Sequence, residues 1–176
     1  MQLLRNLNQE IQNSGVPTVF LHCAMHNFRW SSEEPGIYGI GKSSRLKKVW
    51  AKDYPGESFP AFWKLTGMDT VNHDWIGAFT VDKVLDHPIT QNLPASWKVS
   101  RDERYRTLRM QAGVIPLLKS GDSTIAWLHS FGKARIFATT LGHDDRTLKD
   151  PLFGELLSQG ILFITGNLSD SDEVNP

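Results

Sequence analysis

Apolar positions recur along this chain in two rhythms, and each predicts an element. Leu3, Leu4, Leu7 and Ile11 fall at helical spacing with Gly15 as a stop, which predicts a helix over residues 3–14. A short apolar run from Val16 predicts a central strand over 16–22. Ile125 to Phe131 and Arg135 to Leu141 are rich in β-formers and flank the turn residues Gly132 and Lys133, so a buried hairpin is expected. Further strands are expected at 79–85 and 114–118, with a short one before Ser100. Ser58 to Thr66 reads as a helix with Ser58 as N-cap and Gly67 closing it. Asp150-Pro151 opens a last helix whose buried stripe is Phe153, Leu156, Leu157, Gly160, Ile161 and Ile164.

The intervening stretches lack either rhythm. Residues 24–57 carry prolines, glycines and serines and are expected to form an irregular loop, with Lys42, Arg45, Lys47 and Lys48 as a solvated face. Thr70 to Trp75 reads as a polar link, and His87, placed before Pro88, shapes a turn. From Asn167 the chain is polar and acidic, so a single domain over 1–166 and a disordered tail over 167–176 are expected. A chain that opens on a helix feeding a buried strand implies that an earlier strand–helix–strand unit is missing. The exposed sheet edge would then favour a homo-oligomer.

Composition narrows the partners. Nineteen basic residues balance nineteen acidic ones, and no basic stripe, zinc-finger spacing or RNP-like motif is present, so nucleic acid is not an expected partner. No apolar run is long enough for a membrane span. The start lacks the features of a signal peptide, which makes the cytoplasm the default location, or the periplasm or exterior if the chain is incomplete. One cysteine excludes an internal disulfide.

Candidate chemistry gathers at the ends of strands. His22 follows the first strand and His143 follows the hairpin and Gly142; polar side chains there lie where open α/β sheets bind ligands. His73 and Glu103 stand at two further element boundaries. Imidazoles with a carboxylate suit a divalent metal such as zinc, held by His22, His143 and Glu103, or metal-free general acid–base work; no HxH or HExxH spacing decides between them. Asp144 and Asp145 either hold His143 in one tautomer or are solvated turn residues. Cys23 is a candidate nucleophile, but it lacks flanking glycine. Strand alternation sends it to the core if His22 faces the cleft. Of six tryptophans, Trp63 and Trp127 read as core, whereas Trp30 and Trp75 lie beside the histidine-bearing segments and suit stacking on sugar faces.

The runs LHCAMHNFRW, FWKLTGMDTVNHD, DHPITQNLPASW, DERY and AWLHSFGKARIFATTLGHDDRTLKDPLFGELLSQGILF together resemble the ThuA-like (trehalose utilisation) family, from about Gly15 to Gly166. The resemblance implies an α/β fold: a flavodoxin-like parallel sheet of the class I glutamine amidotransferase type, here with a C-terminal antiparallel hairpin and N-terminally incomplete. It sets His22 where the amidotransferases carry their cysteine, so their chemistry is not implied. His73, Glu103 with Tyr105, and His143 match the family's remaining motifs, which makes all four histidine and glutamate positions catalytic candidates. Trp30, Trp75 and Tyr105 are candidates for substrate contact. The implied function is metabolism of trehalose or a related glycoside or keto-sugar, with a small carbohydrate as partner. Two departures stand out: the missing first unit, and Ala134 where the family's turn continues with glycine. The alternatives are a non-catalytic carbohydrate-binding remnant of the fold and a Cys23-dependent hydrolase.

Overall fold

The structure, a computed structural model, describes residues 2–26, 40–57, 59 and 61–168. Trp30, Ser58 and the end of the tail from residue 169 lie outside the described residues. The elements run α1 (Gln2–Ser14), β1 (Thr18–Leu21), a 3-10 turn (His22–His26), α2 (Ile40–Asp53), α3 (Phe62–Thr66), β2 (Met68–His73) and β3 (Gly77–Lys83). After a second 3-10 turn (Pro88–Thr90) come β4 (Ser96–Asp102), β5 (Tyr105–Met110), β6 (Ile115–Ser120), β7 (Ser123–Phe131), β8 (Ala134–Thr139), α4 (Asp145–Leu148) and α5 (Pro151–Ile164).

Six strands form one sheet in the order β1-β8-β7-β6-β3-β4, and β2 pairs with β5 in a separate ribbon. The β1–β8 pair is parallel; the other pairs are antiparallel. The result is a mixed, curled sheet between helices, in keeping with the flavodoxin-like and glutamine amidotransferase-like class. Side chains of a strand alternate between faces, and the hairpin strands β7 and β8 use both. Trp127, Ile136 and Ala138 join Leu4 and Ile11 of α1 and Leu65 of α3 in one core. Ala126, Leu128 and Phe137 join Phe153, Leu156 and Ile164 of α5 in the other. A strand covered on both faces reads as a continuous apolar run, which is why this hairpin stands out in the sequence.

Several expectations need correction. Residues 40–53, expected to be loop, form α2, with Trp50 buried, Arg45 and Lys48 exposed, and the Lys47 ammonium over the Phe59 ring. The expected polar link at 70–75 is largely strand β2, and Tyr105–Met110 is its partner strand. The short helix begins at Phe62 with Ala61 at its N-cap, while Gly67 does close it, in the left-handed conformation. Ile161 is exposed, whereas Phe153, Leu156, Gly160 and Ile164 are buried as expected. Trp127 is core, but Trp63 is half-buried beneath the Arg109 guanidinium. Asp150 caps α5, with Pro151 in its first turn. His87 caps its 3-10 turn through a reciprocal bond with Thr90. No helix among the described residues is long and apolar enough to cross a membrane.

Candidate functional site

The parallel pairing of β1 and β8 brings the two strand-end histidines together. Leu21 stands opposite Thr139 in the register, so both chains leave the sheet on the same side and His22 lands beside Thr140. The His22 backbone turns sharply here, with φ at 37°, and it is the one non-glycine among the described residues with positive φ. Such a conformation is uncommon for a side-chain-bearing residue and draws attention to the position. On the β8 side, Gly142 at φ 116° takes the backbone through a region only glycine enters freely and aims His143 back over β1.

The His22 ring is buried, 4% exposed, and its Nδ1 lies 2.7 Å from the Thr140 carbonyl oxygen. A carbonyl only accepts, so Nδ1 carries the proton and Nε2 presents its lone pair. That Nε2 is 3.0 Å from His143 Nδ1, 3.4 Å from Glu103 Oε2 and 3.4 Å from the Tyr105 hydroxyl. Glu103 Oε2 is also 3.4 Å from His143 Nδ1. His73 flanks the group: its Nδ1 is 3.6 Å from Glu103 Oε1 and 3.0 Å from the Asp74 carbonyl oxygen, to which it donates. The β2–β5 ribbon delivers these groups, with His73 directly opposite Tyr105 in its register. The buried Tyr105 ring stacks on the His73 imidazole and meets the His22 imidazole at a tilt, at centroid distances of 5.5 and 4.9 Å.

One residue that sequence reasoning passed over organises the rest. Asp102 ends β4 and is fully buried. Its Oδ1 accepts from the backbone N–H of Glu103 at 2.7 Å and of His143 at 3.2 Å, and its Oδ2 accepts from Gly142 N–H at 2.9 Å. These bonds tie the end of β4, last in the pairing order, to the chain that follows β8. Alternation along the strand gave a signal: of the adjacent pair Asp102-Glu103, one carboxylate must face inward when the other faces the cleft.

Glu103 opens into a cleft of about 680 Å³, lined also by His73, Asp74, Trp75, Ile76 and Arg106. Trp75 stands at its rim, 96% exposed. Asp74 accepts from Arg104 Nε at 2.7 Å and from Arg106 Nε at 2.8 Å, and these guanidinium bonds hold its carboxyl below the usual carboxylate range. Asp144 does not hold the His143 ring. It caps α4 through Arg146 N–H and pairs with Arg101, while Asp145 pairs with Lys149 at the surface. Cys23 is exposed, not buried. His22–His26 is a 3-10 turn rather than strand, so two-fold alternation does not apply to it. The described donors that converge closely enough for one ion are His22, Glu103 and His143, and Cys23 is not among them.

Two solved structures are similar over most of this chain. A ThuA-like protein from Bacteroides uniformis is 19% identical with a TM-score of 0.62, and the match covers 91% of this chain and 62% of that one. A ThuA-like protein from Parabacteroides merdae is 17% identical with a TM-score of 0.61, covering 97% of this chain and 67% of that one. This chain thus spans about two thirds of the length of each. Among curated proteins no match was found. The family model described as ThuA, trehalose utilisation, matches residues 4–164, and the chain belongs to that family.

Proposed function

We propose that this chain is a sugar-processing domain acting on trehalose or a related glycoside or keto-sugar, with His22, Glu103 and His143 as its reacting cluster. The observation that supports this most is the meeting of three donors from distant segments, one of which, Glu103, also lines an open cleft. Family membership supports the carbohydrate, and the exposed indole of Trp75 at the rim supports a sugar face laid against it. Within the cluster, Glu103 and His143 are partly exposed and reach substrate, whereas His22 is buried and tunes them. A carboxylate and imidazoles so placed serve a proton shift beside a keto group, or the departure of an activated glycosidic oxygen, either directly as base and acid or through an ion they hold in common. Tyr105 contributes through its hydroxyl, which lies 3.4 Å from His22 Nε2, because its ring is buried beside two imidazoles.

The test compares wild type with Glu103→Gln and His143→Ala on oxidised and unoxidised disaccharides in deuterated water. Turnover, or deuterium appearing beside the keto carbon, is expected in wild type and lost in both variants with the fold retained. Calorimetric binding without either signal would make the domain a non-catalytic carbohydrate module, and turnover retained by both variants would remove the cluster from the reaction.

A further inference from the structure

Only the His22 Nε2–His143 Nδ1 edge of the cluster, at 3.0 Å, has hydrogen-bond length, and the two edges to Glu103 suit a shared ion better than direct bonds. Good N–H···O bonds run from about 2.7 to 3.2 Å, yet Glu103 Oε2 stands 3.4 Å from both His22 Nε2 and His143 Nδ1. His22 Nε2 and the carboxylate both present lone pairs, because the His22 proton is committed to Thr140. Two lone pairs facing each other need a positive centre between them. A proton on His143 Nδ1 can serve one of these neighbours but not both.

Ligands about 2.0–2.1 Å from a tetrahedral ion stand about 3.3–3.4 Å apart along each edge. The three edges here are 3.0, 3.4 and 3.4 Å. The point equidistant from these atoms lies about 1.9 Å from each in their plane, so an ion at ordinary zinc bond lengths sits about 0.8 Å above it. That is the geometry of one face of a four-coordinate site. The surroundings are also those of a held ligand set. Nδ1 of His22 donates to a backbone carbonyl, which fixes tautomer and ring orientation, and Asp102 anchors the main chain of both Glu103 and His143.

We propose that His22 Nε2, Glu103 Oε2 and His143 Nδ1 bind one divalent transition-metal cation of the zinc class, leaving a fourth position open to the cleft. Two imidazoles and one carboxylate are borderline ligands that favour zinc, cobalt or iron(II) over magnesium or calcium. The open position takes water, a sugar hydroxyl or a keto oxygen, and the ion there polarises a carbonyl or acidifies the bound group. His73 lies outside the triangle and faces the other carboxylate oxygen of Glu103, so it orients that ligand rather than joining it.

The inference does not depend on which sugar is processed, and its test does not use turnover. Chelator-treated protein is titrated with zinc by calorimetry and with cobalt(II) by visible absorption, alongside Glu103→Gln, His143→Ala and a Cys23→Ser control. One equivalent is expected to bind in wild type and the control, with affinity falling roughly 100-fold or more in the two ligand variants, beyond the loss typical of an outer-shell change. X-ray absorption of the cobalt-loaded wild type, which needs no variant to fold, should show two imidazoles, a carboxylate oxygen and no sulfur. Absence of micromolar binding, binding that both variants keep, or a sulfur ligand would each overturn the proposal.

Discussion

Asp102 touches no substrate-facing space, yet replacing it should damage the site more than most surface changes near the cleft. The carboxylate is fully buried and accepts three backbone N–H groups, two on Oδ1 and one on Oδ2. In Asp102→Asn one oxygen becomes an amide nitrogen. If the remaining oxygen keeps Glu103 and His143, the new NH2 faces Gly142 N–H, and two donors confront each other out of water. An orphaned buried donor costs about 1–3 kcal/mol, and the surviving bonds lose their charge assistance, so about 2–4 kcal/mol in all is expected. Glu103 is itself a reacting group and Gly142 adjoins another, so the relaxation that relieves the clash moves His143 and Glu103. A displacement of order 1 Å costs roughly 100-fold in a reaction that depends on alignment. Urea unfolding reads the first effect, and cation affinity together with sugar turnover reads the second. A variant within about 0.5 kcal/mol of wild type would refute the donor count. A destabilised variant with unchanged affinity and turnover would show that Asp102 stabilises the fold without positioning the cluster.

Two glycines in α5 should respond in opposite directions. A Cβ at Gly160 would lie 2.5 Å from the buried Phe137 ring, so Gly160→Ala should lose about 1–3 kcal/mol despite alanine's helix preference. Gly154 is exposed with nothing within 4 Å, so Gly154→Ala should gain up to about 1 kcal/mol, or roughly 2–4 °C in melting temperature. Equal melting temperatures for the two would contradict the packing of α5 on β8. Burial lowers the pKa of His129, whose Nε2–H donates to the Lys64 carbonyl. The fold therefore favours the neutral ring, and this contribution is full above the ordinary histidine range near pH 6.5 and is lost as pH falls toward the depressed value. His129→Asn should flatten that part of the stability profile just below about pH 6.5, and an unchanged slope would argue against it. Trp75→Ala should leave stability within about 0.5 kcal/mol because the indole is almost wholly in solvent, yet raise KM for the sugar. An unaltered KM would remove Trp75 from the binding surface.

What the sequence reveals follows from how each element is buried. The hairpin β7–β8 and helix α5 read clearly, because strands covered on two faces and an amphipathic helix leave apolar rhythms that owe little to distant contacts. Helix α2 was illegible: its glycine, serines and basic residues mask the pattern, and Trp50 is its one fully described buried apolar anchor. Residues 70–75 read as link, and β5 gives no strand signal, because the ribbon carries Asp69, Thr70, His73, Arg106 and Arg109. Those polar groups are accommodated only by tertiary partners, such as Arg109 at 3.1 Å from Asp69. At the site, His22 and His143 announce themselves as polar rings ending apolar strands, and Glu103 through its motif. Asp102 and the Thr140 carbonyl do not, since a group that binds main chain leaves no signature in residue type. The three-dimensional fact that joins them, a parallel register between β1 and β8, is a pairing of strands more than a hundred residues apart.

That register makes the centre more sensitive to chain length than to loop composition. Each residue added to β1 or β8 would advance its histidine by about 3.3 Å and send it to the opposite face of the sheet. Such a slip matches the spacing of the donors themselves, so a single insertion ahead of residue 22 or 143 would undo the centre as fully as deleting an imidazole. Growth of the connecting segments between the two strands leaves that ladder untouched. New substrate preferences can therefore arise by lengthening loops around a centre whose two strand ends stay fixed in count.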